Sequence, residues 1–207
     1  MMTFGVKGGA QLTSSFQFKE IGMFETEAKY VRPILGLTFE KPLSQTISIE
    51  ADALYNPEKY RYHQDCFPTK QGCIGQPLDW ETHGHTLEFP VVVKKFWGTD
   101  IRDRFFANTG ISVRSMTMSS WAPPYPCDPT PPPSGTFCDY IQTDTHGSFG
   151  FVFGGGVDFR RGHFHFYPEL RYTRWLGNEW SGNNNVVNVL RPNQNALNIL
   201  LGFTFGK

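Results

Sequence analysis

The sequence predicts an all-β fold: an eight-stranded antiparallel up-and-down transmembrane β-barrel with short periplasmic turns and long extracellular loops. Three observations predict it. Apolar and polar side chains alternate with a period of two in about eight separate runs, each roughly ten residues long, the span a tilted strand needs to cross a bilayer. Helical periodicity is absent from those runs. The connections between them alternate long and short, which is the asymmetry of membrane barrels.

The runs follow one another along the whole chain. In the first, Phe4, Val6, Gly8, Ala10 and Leu12 oppose Thr3, Lys7, Gln11 and Thr13. The second sets Val31, Pro33, Leu35, Leu37 and Phe39 against Arg32, Gly36, Thr38 and Glu40. Ile47, Ile49, Ala51, Ala53 and Tyr55 then oppose Ser48, Glu50 and Asp52, and Leu87, Phe89, Val91 and Val93 oppose Glu88, Pro90 and Lys94. In the fifth run Ala107, Thr109, Ile111 and Val113 face away from Asn108, Gly110, Ser112 and Arg114. The sixth places Phe149, Phe151, Phe153, Val157 and Phe159 opposite Gly150, Gly154, Gly156, Asp158 and Arg160. Phe164, Phe166, Pro168, Leu170 and Tyr172 oppose His165, Tyr167, Glu169 and Arg171 in the seventh. Last come Leu197, Ile199, Leu201, Phe203 and Phe205 against Asn198, Gly202 and Thr204.

Segments 13–29, 56–84, 115–148 and 176–195 are read as long loops, and 41–45, 98–104 and 161–162 as short turns. The four cysteines fall within the long loops as two close pairs, Cys66 with Cys73 and Cys127 with Cys138. Neither pair has metal-site spacing, so two local disulfides are expected, and with them an oxidising compartment. Aromatic residues gather at the strand ends. Phe4, Phe39, Trp97, Phe105, Phe159, Phe164 and Phe205 mark the short-turn rim, and Tyr30, Tyr55, Phe149, Tyr172 and Trp175 the long-loop rim. Two such girdles suit anchoring at the two membrane interfaces.

Composition agrees with one barrel domain spanning 1–207. The chain is 39% hydrophobic and 15% aromatic, and its formal net charge of zero gives no basic footprint for nucleic acid. No stretch approaches the ~18 consecutive apolar residues of a membrane helix, since even 196–205 is interrupted by Asn198 and Gly202. The opening MMTFGVKGG has no basic and apolar signal-peptide pattern; an exported chain is then expected to be the mature form with its signal removed, and on this point alone a cytosolic chain stays open as the alternative.

Alternation alone does not say which face points inward. A soluble lipocalin-like barrel would enclose the apolar face around a ligand. The inverted arrangement is preferred because the polar face carries charges of both signs that can pair across a narrow lumen. The expected lumen network is Lys7, Arg32, Glu50, Asp52, Glu88, Lys94, Arg114, Asp158, Arg160, Glu169 and Arg171. The same face is rich in glycine, and the continuous ring-bearing face would be badly placed in water. An eight-stranded barrel is just wide enough for side chains to fill, so a plugged lumen is expected and a diffusion pore is not.

With these strands in hand the chain resembles the OmpA/OmpX-like small outer-membrane β-barrel domains of Gram-negative bacteria. FGVKGG at 4–9, LEFPVVVKKFW at 87–97, FGGGVDFR at 153–160, PELRYTRW at 168–175 and NILLGFTF at 198–205 carry the likeness through their order and spacing. The resemblance implies residence in the outer membrane among lipid and lipopolysaccharide. It also implies a last-strand signal read by the barrel-assembly machinery during biogenesis. Such signals end on an aromatic residue, whereas Gly206 and Lys207 follow Phe205 here.

No catalytic, cofactor-binding or metal-binding set emerges. His83 with His85, and His163 with His165, form i, i+2 pairs without further ligands. Ser119 and Ser120 lack a nucleophile context, and His146 near Asp144 has no further partner in sequence. FVFGGGV at 151–157 lies within a strand and is no phosphate-cradling loop. The expected role is therefore structural or surface interaction, non-enzymatic, with a protein or glycan partner met by loops such as the proline-dense 122–138 or the polar 177–185. The alternatives are a narrow pore or transport accessory, an outer-membrane enzyme using His83, His85, His146 and Ser120, and the soluble lipocalin-like binder.

Overall fold

The structure, a computed structural model, describes residues 2–18, 24–27, 32–64, 67–69, 72–74, 78–98, 103–121, 142–176 and 190–206. Long strands of alternating character need partners for every backbone N–H and C=O, and in a membrane only a closed sheet supplies them all. Eight strands close that ring: β1 (Thr3–Gln11), β4 (Arg32–Pro42), β5 (Ile47–Gln64), β8 (Leu78–Trp97), β9 (Asp103–Trp121), β10 (Gln142–Arg161), β11 (Phe164–Leu176) and β13 (Asn195–Phe205). Every neighbour is antiparallel, and β1 closes the barrel against β13 with Phe4 opposite Phe205 and Gln11 opposite Asn198. Five short strands decorate the long-loop end. β3 (Phe24–Glu27) adds to the edge of β5, β2 (Phe16–Phe18) pairs with β12 (Leu190–Pro192), and β6 (Phe67–Thr69) pairs with β7 (Gly72–Ile74).

The tightest turn joins β10 to β11, where Arg161 pairs with Phe164 across two residues. Such a turn needs positive φ at its first central position, which Gly162 supplies at 64°.

The predicted faces are the observed ones, and the apolar face points outward. Leu35, Leu37, Phe89, Val91, Val113, Phe153, Ile199 and Phe203 are exposed, while Lys7, Glu50, Lys94, Glu169, Arg171 and Asn198 are buried. A soluble barrel buries the opposite set, so the lipocalin-like alternative is overturned. This distribution is that of a barrel surrounded by hydrocarbon.

Strand length departs from expectation. β5, β8, β9 and β10 are 18, 20, 19 and 20 residues long, about twice the 9–11 that a tilted strand needs to cross the membrane. Residues 56–64 and 78–84 of one segment read as loop, and 115–121 and 142–148 of another, are therefore strand. Above Leu87 the outward positions of β8 change from Val91 and Phe89 to His85 and His83, so the apolar pattern stops although pairing continues. Four strands thus stand beyond the apolar belt on one side of the barrel, while β1, β4, β11 and β13 end near it.

Candidate functional site

The barrel interior is built by the inward-pointing alternate residues, and its centre is ionic. From β1, Lys7 Nζ lies 2.6 Å from Glu50 Oε1, 2.9 Å from Asp52 Oδ2 and 3.2 Å from Glu169 Oε2. Arg171 on β11 spans the same three carboxylates: Nη2 to Glu50 at 3.0 Å, Nη1 to Asp52 at 2.7 Å and Nε to Glu169 at 2.7 Å. Lys94 on β8 pairs with the second oxygen of Glu50 and reaches Glu40 at 3.2 Å. Asn108 donates to Glu169 at 2.7 Å. Three cations therefore balance Glu50, Asp52 and Glu169, and Glu40 extends the network toward the short turns.

Below this layer the cations lie against rings. Lys94 Nζ sits 4.1 Å from the Tyr167 ring centroid and 4.8 Å from that of Phe106, and Phe106 meets Phe96 at 5.8 Å. The Tyr167 hydroxyl donates to Thr38 Oγ1 at 3.3 Å. The ring of Tyr167 packs over Gly202, where an added Cβ would lie 2.2 Å from it. Above the ionic layer, Ile34, Leu54 and Leu200 form a small apolar cluster, and the Arg114 guanidinium lies 4.2 Å over Trp175. Thr86 donates to Glu58 at 2.9 Å and Ser112 to Glu88 at 3.1 Å.

Residues at the centre of the barrel are out of reach of solvent. Glu50, Arg171, Leu200, Val152 and Thr38 are each 0% exposed. A cavity of about 10 Å³ beneath the long-loop mouth, bordered by Glu88, Arg114 and Trp175, is about large enough for one water. A second cavity of about 230 Å³ opens at the short-turn mouth, on the other side of the network.

Of the expected lumen residues, Lys7, Glu50, Asp52, Lys94, Glu169 and Arg171 come together in the central layer. Arg32, Glu88 and Arg114 occupy the long-loop half, with Arg32 donating to the Thr13 carbonyl at 3.2 Å. Asp158 and Arg160 meet at the short-turn mouth, where Arg160 Nε donates to Asp158 at 2.8 Å. Glu40, Asn108, Arg104, His165 and the inward rings Phe96, Phe106 and Tyr167 complete the interior. Strict two-residue counting from Lys94 to Phe96, or from Asn108 to Phe106, is the signal that locates the inward phenylalanines.

The aromatic residues assigned to the rims need one correction. Phe39, Trp97, Phe105, Phe205, Tyr55 and Tyr172 are outward and exposed, and Phe159 stacks on Phe166 at 6.0 Å. Trp175 is 1% exposed and points into the lumen, because it shares parity with Arg171 and Thr173 rather than with Tyr172. Tyr30 lies outside the described residues, as do the side chains of Cys66, Cys73, Cys127, Cys138, Ser119, Ser120, Asp144 and His146. His83 and His85 sit on the outward side of β8 opposite Ser119 and Thr117, and His163 lies in the turn before β11. Among the described residues no three metal-ligating side chains converge.

No sequence-family profile matches the chain, and no curated protein matches it by sequence. Similarity to solved structures decides the architecture. A major outer membrane protein from Thermus thermophilus superposes with a TM-score of 0.57 at 12% identity, over 99% of this chain and 99% of that one. The fold is that of the small bacterial outer-membrane β-barrels. The outer membrane protein OprG from Pseudomonas aeruginosa is also similar, with a TM-score of 0.51, 13% identity and coverage of 100% and 95%. Within this barrel fold, this chain combines a sealed ionic centre with four strands extended beyond the belt.

Proposed function

We propose that this chain resides in the bacterial outer membrane as a closed barrel whose work is done at its surface rather than through its lumen. The observation that carries this reading is the sealed central layer. Its three cations each pair with carboxylates across the lumen, and Lys7, Glu50, Lys94, Val152, Arg171 and Leu200, from strands around the ring, are each at most 1% exposed. The outward rings Phe39, Trp97, Phe105 and Phe205 anchor one rim in the lipid interface, and Tyr55 and Tyr172 the other. Lipid and lipopolysaccharide then surround the belt, and the barrel-assembly machinery inserts the chain.

The extended β9 ends at Trp121 and β10 begins at Gln142, flanking the segment that contains 122–138, and segments joining strands of a scaffold are a common place for recognition. That segment is the part of the chain we assign to contact with a protein or glycan, without catalysis. Two measurements test the reading. Folded protein in planar bilayers is expected to give no steady conductance. Alanine replacement across 123–133 is expected to abolish surface binding of bacteria to a protein or glycan array while the heat-modifiable folded band persists. Steady conductance overturns the sealed barrel, and unchanged binding overturns the loop assignment.

A further inference from the structure

The cavity at the short-turn mouth is chemically unlike the rest of the barrel. Asp158 stands on its border, 2.8 Å from Arg160 Nε, 3.3 Å from Arg104 Nη2 and 3.2 Å from His165 Nδ1. One carboxylate therefore faces two guanidinium groups and an imidazole. Glu40, which also lines the cavity, is already held by Lys94.

The donors are only partly used. Arg160 spends its Nε on Asp158, and its two Nη atoms have no partner among the described residues. Arg104 Cζ lies over Phe96, 4.3 Å from the ring centroid; the side chain gives Nη1 to the Gln45 carbonyl at 3.0 Å, while its buried Nε has no partner. Ser48 is 1% exposed, lines the same cavity, and its hydroxyl is also unpartnered. The Arg104 Nε and the Ser48 hydroxyl are buried, and buried donors normally find an acceptor, while the Arg160 side chain, 30% exposed, stands at the open side of the cavity. Guanidinium forks match the two oxygens of a carboxylate or phosphate, and an apolar ring beneath one of them strengthens the pairing by excluding water.

We propose that this mouth is a binding site for an oxyanion, a carboxylate or phosphate group, held chiefly by Arg160 with Arg104, Ser48 and His165 around it. The volume of about 230 Å³ is below the ~300 Å³ at which pockets for drug-sized ligands begin. The site therefore takes a small anion or the charged end of a larger molecule approaching from the turn side. This goes beyond the surface role proposed above and is independent of it, since the cavity lies on the opposite side of the sealed layer.

The test is a nuclear magnetic resonance titration of the folded protein in detergent micelles. Inorganic phosphate and acetate are added separately at constant ionic strength, with chloride as the control, and the arginine Nε–H and His165 ring signals are followed. A saturable shift of the Arg160 and His165 signals is expected with at least one probe and not with chloride. Phosphate alone identifies a phosphate ligand, acetate alone a carboxylate, and both a general oxyanion site. Arg160→Gln should weaken the binding about tenfold or more, and Ser48→Ala about fivefold, from the typical strengths of charged and neutral hydrogen bonds. Each variant is checked for the folded band on unboiled gels, and Ser48→Ala keeps the test open if Arg160→Gln does not fold. Shifts that chloride reproduces, the absence of a saturable shift with either probe, or folded variants that titrate like the parent, overturn the proposal.

Discussion

Arg171→Met removes the residue that spans all three central carboxylates. In the parent, Arg171 makes contacts of 3.0, 2.7 and 2.7 Å to Glu50, Asp52 and Glu169. Methionine fills much of the same volume, so packing is largely conserved and the change isolates the charge. Glu50, Asp52 and Glu169 are then left against Lys7 and Lys94, one buried negative charge in excess. Removing one partner of a buried ionic set costs about 3–5 kcal/mol. Arg171→Lys keeps the charge and loses part of the fork, so its cost is expected to be lower, about 1.5–3 kcal/mol for one lost charge-assisted bond. The double change Arg171→Met with Glu169→Gln restores balance and should recover more than half of the single-variant loss. Urea unfolding in lipid vesicles, read by tryptophan fluorescence and by the heat-modifiable band, measures all three. A cost below about 1 kcal/mol for Arg171→Met, with an unchanged denaturant slope, would refute the idea that the central layer depends on charge balance.

Three further outcomes are expected. Gly202→Val drives a side chain into the Tyr167 ring, where even a Cβ lies at 2.2 Å, and should cost about 1–3 kcal/mol in the same urea assay. Val91→Arg on the outward apolar belt should cost about 2–4 kcal/mol, whereas Thr117→Arg beyond the belt should cost about 0–1 kcal/mol; equal costs would contradict the position of the belt. In single-tryptophan variants, brominated lipid should quench Trp97, which is 52% exposed, and leave Trp175, at 1%, bright.

Alternation made the barrel legible because each strand meets two different solvents, hydrocarbon outside and a packed polar interior inside. Lys7, Glu50 and Arg171 could thus be placed on one surface from parity alone. Their mutual contacts could not, since the pairing of Lys7 with Glu50 depends on how strands distant in sequence are staggered around the ring. Trp175 was misplaced by its closeness to a strand end, although its parity with Arg171 points inward. The upper halves of β5 and β8 were read as loop for a different reason. Beyond the belt, as at Lys59 and His83, both faces meet polar surroundings, and the two-residue signal fades while the backbone ladder goes on. The short-turn cavity was hidden because Arg104 lies within a segment read as a turn.

The central layer also has a temporal meaning. Lys7 and Glu169 are 162 positions apart, and Arg171 reaches back 119 and 121 positions to Asp52 and Glu50. Contacts between such remote parts of a chain form only after the cost of bringing the ends together has been met. The charges in the middle of this protein are thus fully matched only in the finished ring. Until the first and last strands zip, the polypeptide carries a set of mismatched ions, and the final seam brings their neutralisation, which favours abrupt, all-at-once completion over gradual assembly.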